Sequence, residues 1–444
     1  MRNMAVPGRF SVATLVVGVV SLALGAAGSA AAAVPNTELV SIALDGSTGD
    51  APSVGCSVSA HGRYVAFISQ ANNLVPGDPG AWEQVFLRDR KTGTTAQVDV
   101  SDTGAPPNGS SNWLAVSDTG RFIAFDSSAS NLVRNDFGTF TDVFVRDRVT
   151  GHTRMVSVRT DLTAGGNGVS MLPSISADGR FVAFTSSAGN LIAGDTNGEF
   201  DIFVRDLDRG RTVRVSRRNA GGQANGSSFF PSISADGRYV AFESSATNLV
   251  PGDTNHRDDV FVRDLVAQTT ERVSVSSAGD QENDGALPQR PVAISADGRF
   301  VAFLSAATNL VADDTNGTPD VFVHDRLSGA TTRVSVSSTG RQSRNQLLSG
   351  PVISGNGSVV AFGSSSSNLV TDDTNSAPDV FLHSTTSGAT TRVSVTSAGA
   401  EANDESAVCG LSRDGLHVGF NSGGDNLADA DTNDSDDMFI RNLG

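Results

Sequence analysis

Five stretches of this chain repeat one spaced set of oxygen-bearing side chains, Asp-Thr-Asn-x-x-x-Asp. They are Asp195/Asn197/Asp201, Asp253/Asn255/Asp259, Asp314/Asn316/Asp320, Asp373/Asn375/Asp379 and Asp431/Asn433/Asp437. Two more stretches keep part of the set: Asp136 and Asp142 around Gly138, and Asp78 with Gly80 and Gln84. Oxygen ligands at the first and third positions, with a carboxylate further on, suit a hard cation such as Ca2+. The same side chains suit turn capping, in which Asp and Asn oxygens accept from backbone N–H groups ahead of a strand. Residue type alone leaves both readings open.

Other chemistry is sparse, and no catalytic residues are assigned. His61, His152, His256, His324, His383 and His417 are scattered, with no His-x-x-x-His or Glu-x-x-His spacing for a transition metal. Serine never stands in Gly-x-Ser-x-Gly, and no α/β unit is present to carry a nucleophile elbow. No glycine loop opens a helix to cradle a phosphate, because no helical period appears.

The elements that must position these loops are visible as a repeat. Gly-Arg-Phe/Tyr-Val-Ala-Phe or a looser copy begins at Gly62, Gly120, Gly179, Gly237, Gly298, Gly357 and Gly415, at spacings of 58, 59, 58, 61, 59 and 58 residues. Each copy leads through Asn-Leu and a polar loop to a second strand such as Asp201–Asp206 (DIFVRD), then to a stretch of the TTRVSV type such as Thr331–Val336. A short run such as Pro173-Ser174-Ile175-Ser176 precedes each glycine. Four short β-rich segments per unit, repeated seven times, specify an all-β, seven-bladed β-propeller with four strands per blade.

The ends indicate closure. Thr37–Ile42 (TELVSI) matches a fourth strand with no unit before it, and the last unit stops at its third strand, Asp437–Arg441. The N-terminal strand is therefore expected to complete the last blade, removing an open sheet edge. Fourteen of the 23 phenylalanines fall in two columns, Phe67 to Phe420 and Phe86 to Phe439, as expected of side chains filling the space between blades. Asp-Gly pairs such as Asp178-Gly179 mark tight turns between first and second strands. The other connections, second-to-third and fourth-to-first, are long, polar and emerge together on one face, where binding residues are expected. Cys56 and Cys409 each lie six residues before a repeat glycine, in units that become neighbours only when the ring closes. A Cys56–Cys409 disulfide across that seam is expected.

Composition sets outer limits. The chain of 444 residues has 32 basic and 48 acidic residues, a net charge of −16, which disfavours nucleic acid and anionic membrane as partners. With 38% hydrophobic residues it has the apolar content for a core and is no disordered chain. Residues 1–33 read as a secretory signal: Arg2 and Arg9, an apolar stretch within Ser11–Thr37, and small residues up to Ala33. The propeller then occupies 34–444 of a secreted protein, extracellular or periplasmic, with no later membrane span.

The run Ser176–Phe184 (SADGRFVAF), followed by Phe203–Asp206 (FVRD), resembles the TolB-type, WD-repeat-like propellers of exported bacterial proteins, over Thr37 to Gly444. Nothing corresponds to the α/β domain that TolB carries ahead of its propeller. The Asp-Thr-Asn loops are similar to a shortened form of the Asp-x-Asn/Asp-Gly loops of calcium-binding propellers. The resemblance implies a non-enzymatic, monomeric binding or scaffold protein that takes a protein, peptide or glycan on its long-loop face, with Ca2+ as the one candidate ion. The alternative is an extracellular hydrolase or polysaccharide lyase with carboxylates at the channel mouth, which should break the repeat at one channel-facing cluster.

Overall fold

The computed structural model describes residues 35–444 apart from 79–81, 135, 137, 160–163, 286–290, 346, 432 and the side chain of 348. The signal segment expected at 1–33 lies outside the described residues. Every regular element described is a strand, and the strands form seven four-stranded antiparallel sheets. In blade 3 they run from the axis outward as Ser170–Ile175, Phe181–Ser186, Asp201–Asp206 and Arg211–Arg214. Blade 7 takes its outer strand from the other end of the chain: Asn36–Leu39 pairs with Asp437–Asn442, Leu39 opposite Phe439.

The two Phe columns face each other across the second and third strands of every blade, with ring centroids 5.7–6.0 Å apart. All fourteen are fully buried. Each ring removes roughly 150–250 Å² of apolar surface from water, so this column is the main adhesive between neighbouring sheets. The Asp-Gly turns pack as closely. Gly179 has φ +77°, and a Cβ on it would lie 2.1 Å from the Phe122 ring of the preceding blade, so both backbone and space demand glycine.

At the short-turn end of the axis a ring of backbone hydrogen bonds joins the turns of neighbouring blades. N–H groups of Ala60, Asp118, Ala177, Ala235, Ala296, Gly355 and Asp414 donate in turn to carbonyls of Asp118, Ala177, Ala235, Ala296, Gly355, Arg413 and Ala60, at 2.8–3.2 Å. Arg413 reaches across this end to Asp118, at 2.8 Å. On the same side, Arg63, Arg121, Arg180, Arg238 and Arg299 bracket Asp89, Asp147, Asp206, Asp264 and Asp325 at 2.7–2.8 Å. These brackets hold the carboxyls of Asp89, Asp147 and Asp325 well below their usual range.

The seam between blades 7 and 1 is covalent. Cys56 and Cys409 form a disulfide with Cα atoms 4.9 Å apart, closing 353 residues of sequence separation. The bond joins the middles of the inner strands Ser53–Val58 and Ser406–Leu411, in the seam where blade 7 exchanges a strand, so the ring is locked where the chain would otherwise be open.

Candidate functional site

Towards the long loops the axis opens as a funnel of about 570 Å³, and the short-turn end holds a smaller cavity of about 110 Å³. Seven inner strands contribute one residue each at the position seven before the repeat glycine: Gly55, Trp113, Leu172, Phe230, Pro291, Gly350 and Val408. The ring is lopsided. Blades 2, 3 and 4 supply large apolar side chains, and the opposite wall supplies Gly350 and Gly55. Trp113 and Phe230 meet edge to face with centroids 5.9 Å apart, spanning blade 3. The aromatic chain continues from Phe230 to Phe229 at 6.5 Å and on to Phe200 at 5.1 Å. Trp113 stays 50% exposed, an unusual state for so large an apolar surface.

This arc is held under local strain. Leu172 and Phe230 adopt left-handed backbone, φ 58° and 52°, the conformation Gly55 adopts freely in blade 1. Such a conformation costs a non-glycine residue about 1–2 kcal/mol, and strain of this kind concentrates at ligand sites. Asp126 supports it from beneath, accepting the Leu172 N–H at 2.9 Å; burial pushes its carboxyl up to about 7. Among the described residues of the funnel wall no side chain ionises. The sequence reading did not single out Trp113, Leu172 or Phe230. Their signal was positional: they fill a column in which the opposite blades place small residues.

The Asp-Thr-Asn loops lie on the same face, away from the axis, and each builds a slot between the second-to-third loop and the outer strand. Asp201, Asp259, Asp320, Asp379 and Asp437 open the third strand and are fully buried. One oxygen of each accepts from a serine two residues beyond the outer strand's pairing position: Ser216, Ser274, Ser335, Ser394 and Ser41. The asparagines act as staples. Asn197, Asn255, Asn316, Asn375 and Asn433 donate to carbonyls of Ala224, Glu282, Ser343, Ala402 and Gly49 in the fourth-to-first loop, at 2.7–3.3 Å. Their Oδ1 atoms accept from backbone N–H groups two residues on, at 3.0–3.4 Å.

In blades 3 to 6 a protein cation stands between the paired carboxylates. Arg214 Nη1 is 3.0 Å from Asp195 and 3.1 Å from Asp201. Arg272 contacts Asp253 and Asp259 at 3.5 and 3.0 Å, and Arg333 contacts Asp314 and Asp320 at 3.0 and 3.2 Å. Arg392 reaches Asp373, Asp379 and Glu401 at 3.9, 3.3 and 2.6 Å, and these three acids have oxygens within 4.8 Å of one another. Each arginine pairs in register with the third-strand Phe of its own blade, as in Phe203 opposite Arg214. It is the Arg of the TTRVSV stretch, present in the sequence but not connected to the carboxylates by spacing.

The register puts other residues at that position in the remaining blades: Met155 opposite Phe144, Leu39 opposite Phe439, Gln97 opposite Phe86. Blade 1 changes the whole set, with Gln84 donating to Asp78 at 2.8 Å and Gln97 donating to Asp99 at 3.1 Å. Blade 7 changes only the arginine, and blade 2 changes the arginine and, at Gly138, the asparagine. Asp142 Oδ2, Asp431 Oδ2 and Asp437 Oδ2 are then buried without a hydrogen-bond partner among the described residues. Burial raises the carboxyls of Asp142 and Asp437 to about 7.

No protein-family model and no curated protein matches this sequence. Solved structures do. A putative TolB from Agrobacterium tumefaciens aligns over 63% of this chain and 79% of its own, at 17% identity and a TM-score of 0.39. An oligogalacturonate lyase in complex with manganese aligns over 92% of this chain and 96% of its own, at 12% identity and a TM-score of 0.53. An oligogalacturonate lyase from Vibrio parahaemolyticus aligns over 93% and 98%, at 12% identity and a TM-score of 0.51. Identities this low speak for fold, and activity does not travel with fold. The chain is a seven-bladed β-propeller, with TolB propellers among the structures it matches and oligogalacturonate lyases similar to it over nearly their whole length.

Proposed function

We propose that this protein is an exported, non-enzymatic binding propeller that takes an extended apolar peptide segment, free or on a partner protein, into the long-loop funnel. The observation that carries this reading is the Trp113–Leu172–Phe230 arc, which breaks the seven-fold repeat on one side of the axis. A half-exposed tryptophan beside a second ring, in a concave wall of Pro173, Pro231, Pro291 and Val292, is the composition of a binding hot spot. Among the described residues the wall carries no ionisable side chain, which favours a peptide over a glycan, whose hydroxyls call for a denser set of polar partners, and over the hydrolase or lyase alternative, which needs an acid and a base. Export is supported by the leader-like residues 1–33 and by the disulfide, which persists in oxidising compartments. Among the described residues no helix is long and apolar enough to cross a membrane.

The test is panning of a phage-displayed random peptide library on the disulfide-bonded chain, followed by calorimetry of the selected peptides. Trp113→Ala should weaken binding by about 10- to 100-fold, the scale of an aromatic hot spot, and Val266→Ala on the opposite face should leave it unchanged. Peptides indifferent to Trp113→Ala, or binding on a glycan array alone, would overturn the reading.

A further inference from the structure

The acid slots of blades 2 and 7 are chemically incomplete in a way those of blades 3 to 6 are not. In the four sister blades two buried carboxylates share one guanidinium nitrogen at 3.0–3.9 Å. Blades 2 and 7 keep the carboxylates and the serine, with Ser157 and Ser41 donating to Asp142 and Asp437 at 2.6 Å, and put an uncharged side chain where the arginine stood. We infer that blades 2 and 7 each bind a hard divalent cation of the Ca2+ class in the place of the missing guanidinium, held by Asp136 and Asp142 in one and by Asp431 and Asp437 in the other. This inference is independent of the funnel.

Three observations support it. The free oxygens are buried: Asp142 is 1% exposed, Asp437 0% and Asp431 7%, and the Oδ2 atom of each lacks a partner among the described residues. Buried anionic oxygens are compensated by a cation or a proton, and the sister slots are built for a cation. Space is kept open in blade 2. Gly138 replaces the stapling Asn, and glycine at 165 leaves room beside the carboxylate, since a Cβ there would come within 2.9 Å of Asp142 Oδ2. Around the blade 7 slot the field is more negative still. Asp425 and Asp434 act on Asp431, and Asp436 acts on Asp437. Carboxylates completed by backbone oxygens and water form a shell that Ca2+ accepts readily because its coordination is flexible, whereas Mg2+ demands a stricter octahedron.

The experiment is calorimetric titration of the exported, disulfide-bonded chain with CaCl2 after treatment with a chelator. Two Ca2+ per chain are expected. Met155→Arg and Leu39→Arg should each remove one site without lowering the melting temperature of the calcium-free protein, because each restores the arrangement of the sister blades. Met155→Leu should keep both sites. In the opposite direction, Arg392→Leu should add a third, since it frees Asp373, Asp379 and Glu401 together. Absence of calcium binding overturns the inference and points to a proton shared within each pair. So does binding that persists in the Met155→Arg/Leu39→Arg double variant. If an arginine variant fails to fold, the gain of a third site in Arg392→Leu, or its absence, decides the matter.

Discussion

Blades 3 to 6 and blades 2 and 7 share a backbone, a buried third-strand aspartate and its serine, and differ at one residue of the outer strand. Arg214, Arg272, Arg333 and Arg392 stand where Met155 and Leu39 do. The comparison teaches that the repeated Asp-Thr-Asn-x-x-x-Asp pattern specifies a pocket for positive charge and leaves its source open. Blade 1 rearranges the set: where it loses the arginine it also replaces the third-strand aspartate with Gln84 and places Asp99 at the serine position, fully buried with its carboxyl pushed up to about 7. Only blades 2 and 7 keep both carboxylates without the guanidinium.

The largest effect is expected from making a filled blade resemble the open ones. Arg333→Met leaves Asp314 and Asp320 buried and unpaired, a change worth about 3–5 kcal/mol in calcium-free buffer. Calcium should restore part of that loss, and urea unfolding with and without the ion measures both. The seam comes next. Cys409→Ser opens the link between blade 7 and blade 1 and should cost about 2–5 kcal/mol, read from the same unfolding curves. A smaller loss, about 1–3 kcal/mol, is expected for Ser216→Ala, which leaves one oxygen of buried Asp201 without its donor while Arg214 remains.

The smallest effect is a pH dependence confined to the open blades. Burial raises Asp142 and Asp437 to about 7, so between about pH 4 and 7 the folded chain binds more protons at these groups than the unfolded chain does. Their contribution to calcium-free stability is therefore favourable towards low pH and is lost as pH rises through 7. Stabilisation by calcium should grow over the same interval. Melting curves at pH 5 and pH 7.5, compared with the Met155→Arg/Leu39→Arg variant, isolate this term from the similarly raised Asp99 and Asp126.

What could be read in the sequence was whatever repeats. Blade number, the Phe columns, the Asp-Gly turns, the completion of blade 7 by Thr37–Ile42 and the cysteine pair all follow from residues recurring about every 59 positions. The candidate sites lie in departures from that repeat, and a departure has meaning only once its column is known. Trp113 is an ordinary strand residue until Gly55 and Gly350 are seen at its place across the funnel. Met155 and Leu39 look like core residues, and their aliphatic parts do pack against the core. Their significance comes from a cross-strand register that sets Arg214 beside Asp195 and Asp201, 19 and 13 residues away in the chain.

The claim that every acid pair outside blade 1 takes a cation, supplied by arginine in four blades and by an ion in two, is tested most directly by diffraction. Crystals of the disulfide-bonded chain grown with Tb3+ as a calcium substitute should give two anomalous peaks, one beside Asp136 and Asp142 and one beside Asp431 and Asp437, and none between the carboxylates of blades 3 to 6. Equal peaks in blades 3 to 6, or no peak beside Asp142 and Asp437, would contradict it.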